Sequence, residues 1–145
     1  MEKDDRPHGS ILCFDYGKRR IGVAVGQTIT GTATSLAVVS NGDKPDWSEI
    51  SRHVTEWKPS GFVVGLPLSV DGEETRMSAR ARAFGNKLSG RYGISVCYQD
   101  ERLTSVDAQR EFAVLRAAGG AKRKDAGRLD AVAAKIILEN WLQNQ

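Results

Sequence analysis

The sequence predicts an α/β domain built on a mixed five-stranded sheet. Three apolar runs near the start are divided only by short turn segments, as in an antiparallel meander. From about residue 47 onward, segments with helical periodicity alternate with short buried strands. At 145 residues the chain has the size of one domain with a full core, so the expected division is a short disordered tail over 1–10 and a folded unit over 11–145.

The first strand is expected over 11–16 and the second over 20–27, divided by Gly17, Lys18 and Arg19. In the second, Ile21, Val23 and Val25 alternate with Gly22, Ala24 and Gly26, so one face carries bulk and the other is nearly bare. A bare face admits the close approach of a helix or a ligand. A third strand over 33–39 follows the turn residues Thr30, Gly31 and Thr32. Asp46, with Glu49 three positions later, predicts the capped start of a helix over 47–57 that Pro59 closes. Phe62, Val63 and Val64 form a short buried strand ending at Gly65, before a loop over 66–72. Met77, Ala81, Phe84 and Leu88 recur at helical spacing and predict a helix over 74–89. Its flank carries Arg76, Arg80, Lys87 and Arg91, a pattern that in many helices is only a solvated face. The fifth strand is expected over 94–98, and Thr104 with Asp107 opens a helix to about 118, ended by Gly119 and Gly120. A basic connector over 121–128 leads to a last helix over 129–142, apolar around much of its circumference.

Composition narrows the chemistry. With 40% hydrophobic and 27% charged residues the chain reads as an ordinary soluble globular protein, and no apolar run approaches the roughly 18 residues of a membrane span. The charged opening segment has no signal-peptide core, so the expected location is cytoplasmic. Cys13 and Cys97 fall inside predicted strands without CxxC spacing and are expected to be buried thiols. Only His8 and His53 are available, too few for a zinc site or a histidine-activated nucleophile. A net charge of +3 gives a mild bias toward polyanions.

Three acids stand where buried segments meet their loops: Asp15, Glu101 and Asp130. Singly, each has an ordinary explanation. Asp15 caps a turn, Glu101 pairs with Arg102 or Lys124 on the surface, and Asp130 favours a helix dipole in a first turn. Together they describe a carboxylate cluster, because strand ends of open α/β sheets are where ligands bind. Two carboxylates about 4 Å apart repel by roughly 4 kcal/mol at an effective dielectric near 20, so convergence calls for a positive ion among them. Oxygen ligands of this kind suit Mg²⁺ or Mn²⁺.

Four segments carry a resemblance to a known family: Phe14 to Ala24, Val64 to Leu68, Asp100 to Thr104 and Leu129 to Ala134. In order and spacing they resemble the successive motifs of the YqgF/RuvX family of pre-16S rRNA nucleases and Holliday-junction-resolvase-like proteins. The resemblance spans residues 11–142. It implies an RNase H-like, three-layer fold whose first three strands are antiparallel and whose later ones are parallel, with the acids gathered at one sheet edge. It also implies Asp15, Glu101 and Asp130 as catalytic, metal-holding residues, with Asp15 bridging two Mg²⁺ or Mn²⁺ ions and products ending in 5′-phosphate and 3′-hydroxyl.

On that reading the partner is a nucleic acid, pre-rRNA before a DNA junction, and no membrane; monomer and dimer both remain open. Phosphates are expected to meet Lys18, Arg19, Arg20, Arg76, Arg80, Arg102, Lys122, Arg123, Lys124 and Arg128. Gly17 and Gly65 are expected in loops beside the site. Two other classes compete: a binding or transcription-associated module with a degenerate site, disfavoured by three acids near phosphates, and an actin-like kinase, which needs two domains.

Overall fold

The computed structural model describes residues 9–102 and 126–145, with the side chains of 126–129 outside that description. The expected helix after Thr104 and the basic residues Lys122, Arg123 and Lys124 lie outside the described residues, as does the Arg128 side chain. Strands β1 (Ser10–Tyr16), β2 (Arg20–Gln27) and β3 (Thr32–Ser40) precede helix α1 (Trp47–Trp57). Then come β4 (Gly61–Leu66), α2 (Arg76–Tyr92) and β5 (Val96–Asp100), and the last described element is α3 (Ala126–Gln143).

The sheet order is β3-β2-β1-β4-β5. β1 pairs antiparallel with β2, and β2 with β3, whereas β4 runs parallel to both β1 and β5. This is the mixed sheet with an antiparallel opening that the sequence predicts. Helices α1 and α2 cover one face through Ile50, Ala81, Phe84 and Leu88, packed on Leu12, Phe14, Val23, Phe62 and Val64. Helix α3 covers the other through Ala134, Ile137, Leu138, Trp141 and Leu142, packed on Ile11, Cys13, Ala24 and Val63. Strand side chains alternate between faces, so Asp15 and Gly65 belong with the α3 layer, and so do Arg20, Gly22 and Gly26.

The bare face of β2 is therefore covered by a helix. A Cβ on Gly26 would lie 2.8 Å from Leu138 Cδ2, so the missing side chain is what lets α3 lie this close. Boundaries shift where a tertiary contact extends a local pattern. β1 begins at Ser10 rather than after it, because Gly9 and Thr28 exchange hydrogen bonds and extend the β1–β2 hairpin past the end expected for the tail. α2 starts at Arg76 rather than 74, since Thr75 caps it in a reciprocal box with Ser78. His53 is buried within α1.

Candidate active site

Asp15 is the sixth residue of the seven-residue strand β1, paired across the ladder with Gly22 of β2. It is thus a strand residue on the α3 face and not a turn cap. β5 runs from 96 to 100, two residues later than expected, because its pairing with β4 continues through Leu66 opposite Asp100. Glu101 prolongs that line, its N–H donating to the Leu66 carbonyl at 3.1 Å.

Strands β1 and β5 are separated by β4, a span of roughly 9.5 Å at ordinary sheet spacing. Glu101 closes that span by crossing above Gly65. A Cβ on Gly65 would stand 3.1 Å from Glu101 Cδ and 2.9 Å from Ile137 Cδ1. Gly65 is thus a strand residue inside β4, not the loop residue expected from sequence, and its value is the empty space above it. Glu101 and Asp15 are hydrogen-bonded through their carboxyl groups. Such a bond requires one proton shared between the two carboxyls. Burial first, then the charge and bond of Asp15, push the Glu101 carboxyl up to about 9. Asp15 is also raised, mainly by burial, with the bond from Glu101 opposing and the charge of Asp130 adding to the rise.

The third acid arrives on α3. That helix begins at 126 rather than 129, so Asp130 is its fifth residue and stands past the first turn, where a dipole preference would act. Its placement depends on Gly22: any Cβ there would run into the Asp130 carbonyl and come within 3.1 Å of the Ala131 nitrogen. The Asp130 side chain is held by Arg20, whose Nε donates to Oδ2 at 2.8 Å. Asp130 is near enough to act on Asp15 electrostatically, yet among the described residues no three His, Cys, Asp or Glu side chains are arranged to grip an ion together. In this arrangement the Asp130 carboxylate is paired with Arg20 and not with the Asp15–Glu101 pair.

The basic residues divide into groups. Lys18 and Arg19 are exposed in the β1–β2 turn and make no ion pair among the described residues. Gly17 belongs to the same turn, its carbonyl accepting from the buried Asn41 side chain at 2.6 Å. Arg102 is committed to Asp100, with Nε at 2.9 Å and Nη2 at 2.6 Å from Oδ2, while Nη1 reaches the Val70 carbonyl at 3.3 Å. This pairing holds the Asp100 carboxyl below its usual range. Arg76 and Arg80 ride on α2, across the sheet from the acids. Arg80 lines a shallow groove with Tyr16, Pro45, Phe84 and Lys87. Sequence reasoning missed Gly22 as a site residue, although the bare face of β2 was the signal for it. It also missed Asp100 as the partner that occupies Arg102.

The topology is that of an RNase H-like fold, with the carboxyl pair at the ends of β1 and β5. A solved structure of T. thermophilus RuvC in complex with a Holliday junction substrate has the same fold, with a TM-score of 0.54 at 15% identity over 94% of this chain and 95% of that one. The family model described as RuvX, Holliday junction resolvase, matches residues 9–144, and the chain belongs to that family. A relative from Aeromonas salmonicida is 49% identical over 137 residues, 94% of this chain and 96% of its own. A second, from Edwardsiella ictaluri, is 46% identical over the same shares. Both are named "Putative pre-16S rRNA nuclease".

Proposed function

We propose that this chain is a divalent-metal-dependent nuclease that hydrolyses phosphodiester bonds, with pre-16S rRNA at its 5′ end as the substrate. The observation that carries the reading is the Asp15–Glu101 pair, brought together over Gly65 with Asp130 beside it. Two carboxyls pressed together in a buried place, one kept neutral, form an all-oxygen donor set that a hard cation would convert into two ligands. The donors therefore fit Mg²⁺ or Mn²⁺, held by Asp15 and Glu101, with Asp130 as the third ligand. When bound, such an ion supplies charge stabilisation at the phosphate and a water acidified toward neutrality.

The chain's own residues do the rest. The pair would give up its shared proton on becoming ligands, and Asp15, fixed in the ladder opposite Gly22, sets the position of the pair. Lys18 and Arg19 neutralise phosphates entering from the β1–β2 turn. The names of the relatives support RNA as substrate. The family description supports a second reading, a DNA junction, for which cleavage of two symmetric strands would require a dimer. The site would work in the cytoplasm, where pre-rRNA is matured.

The test is cleavage of a 5′-extended 16S precursor, single-stranded RNA and a four-way DNA junction, with Mg²⁺, Mn²⁺ or chelator. Cleavage of the precursor is expected only with metal, and Asp15→Asn is expected to abolish it. Full activity in chelator, or in Asp15→Asn, would sink the mechanism.

A further inference from the structure

We infer that Arg20 and a divalent cation are competing partners of Asp130, so that Arg20 works as a latch that metal entry opens; this rests on the metal-site reading above. Arg20 opens β2 and lies two residues before Gly22, which places both on the α3 face of the sheet. Gly22 fixes the Asp130 backbone against β2, so the Asp130 side chain emerges within reach of the Arg20 guanidinium and within the electrostatic range of Asp15. One carboxylate thus stands between two claimants, a guanidinium 2.8 Å away and the cation position defined by Asp15 and Glu101.

The latch is built to open. Both side chains are partly solvated, 49% exposed for Arg20 and 32% for Asp130, and pairs of that kind are weak. A cation surrounded by carboxylates outcompetes it, and Asp130 turns from Arg20 toward the Asp15–Glu101 pair. The released guanidinium, standing at the site's rim, then becomes a phosphate contact. Arg20 is a positioning residue in the first state and a substrate contact in the second. Arg102 offers the internal comparison: it is also an arginine paired with an aspartate, but its partner Asp100 is no part of the acid site.

Calorimetric titration of Mg²⁺ into wild type and Arg20→Gln, paired with nitrogen NMR of the arginine Nε–H groups in wild type, tests the proposal. Arg20→Gln is expected to bind Mg²⁺ up to about fivefold more tightly, the most an exposed ion pair can withhold. In wild type, Mg²⁺ should shift the Arg20 Nε–H signal while that of Arg102 stays in place. Equal affinity in the two proteins, or an Arg20 signal unmoved at saturating Mg²⁺, would overturn the latch and leave the metal site standing. No Mg²⁺ binding in either protein would overturn both.

Discussion

Glu101 concentrates the physical cost of the site at one residue. Its carboxyl is pushed up to about 9, whereas an unfolded chain would hold it near 4.5. A carboxyl raised in the folded state contributes stability below the unfolded value and loses it as pH climbs through the folded one. The metal-free protein is therefore expected to weaken steadily between about pH 5 and pH 9. Glu101→Gln keeps the hydrogen bond to Asp15 without the ionisation and should flatten that dependence. It should raise the melting temperature at pH 8 by about 3 °C, the effect of roughly 1 kcal/mol in a domain of this size. Thermal scans across pH decide it, and an unchanged slope in Glu101→Gln would place the cost elsewhere. Mg²⁺ should release protons on binding and reverse the trend, because only the ionised carboxyl is a ligand. That these three acids stand beside buried segments was legible in the sequence. The state of Asp130 was not, because its contact with Arg20 spans 110 positions and depends on where α3 lies.

At the scale of elements, two strand glycines clear the space that the site occupies. Gly22 clears the path for the α3 backbone, and Gly65 clears the path for the Glu101 side chain. The two replacements by alanine should differ in kind. At Gly22 the new methyl meets backbone that cannot swing away, and Gly22→Ala is expected to cost roughly 1–3 kcal/mol of stability as well as activity. At Gly65 it meets the ends of the Glu101 and Ile137 side chains, which can move. Gly65→Ala should stay within about 1 kcal/mol of wild type, helped by the strand's preference for alanine over glycine, yet lose cleavage as Glu101 is displaced. Urea denaturation beside a cleavage assay separates stability from function, and an active Gly65→Ala would refute the crossing. The alternation along β2 made the bare face readable, because a period of two is a local signal. Which of its glycines served packing and which served the site depended on the register of α3, and no window of sequence contains that. The limits of β5 escaped for the same reason: its ladder is set by β4, whose pairing runs to Leu66 and Asp100.

For the whole molecule, the acids lie on one face of the sheet, and the candidate phosphate contacts do not all share it. Lys18 and Arg19 project from the turn next to Asp15, Arg102 spends its charge on Asp100, and Arg76 and Arg80 stand beyond the sheet on α2. Binding of single-stranded RNA should follow this division. Joint replacement of Lys18 and Arg19 by alanine is expected to reduce the slope of log affinity against log salt by roughly 1.4, two contacts at about 0.7 each. Arg102→Ala should leave that slope unchanged, and a loss equal to one full contact would show that Asp100 does not hold it. Charge type and number were open to inspection in the sequence, but the face on which each charge falls was set by the fold.

Gly22 has one more effect, on when the protein is competent at all. Asp130 stands beside the acid pair only while α3 lies across β2, where Gly22 leaves room for its backbone. Any excursion that lifts α3 carries one acid away and leaves the other two in place. With Asp130 as the third ligand proposed above, such an excursion would switch off cleavage while the sheet itself stays folded.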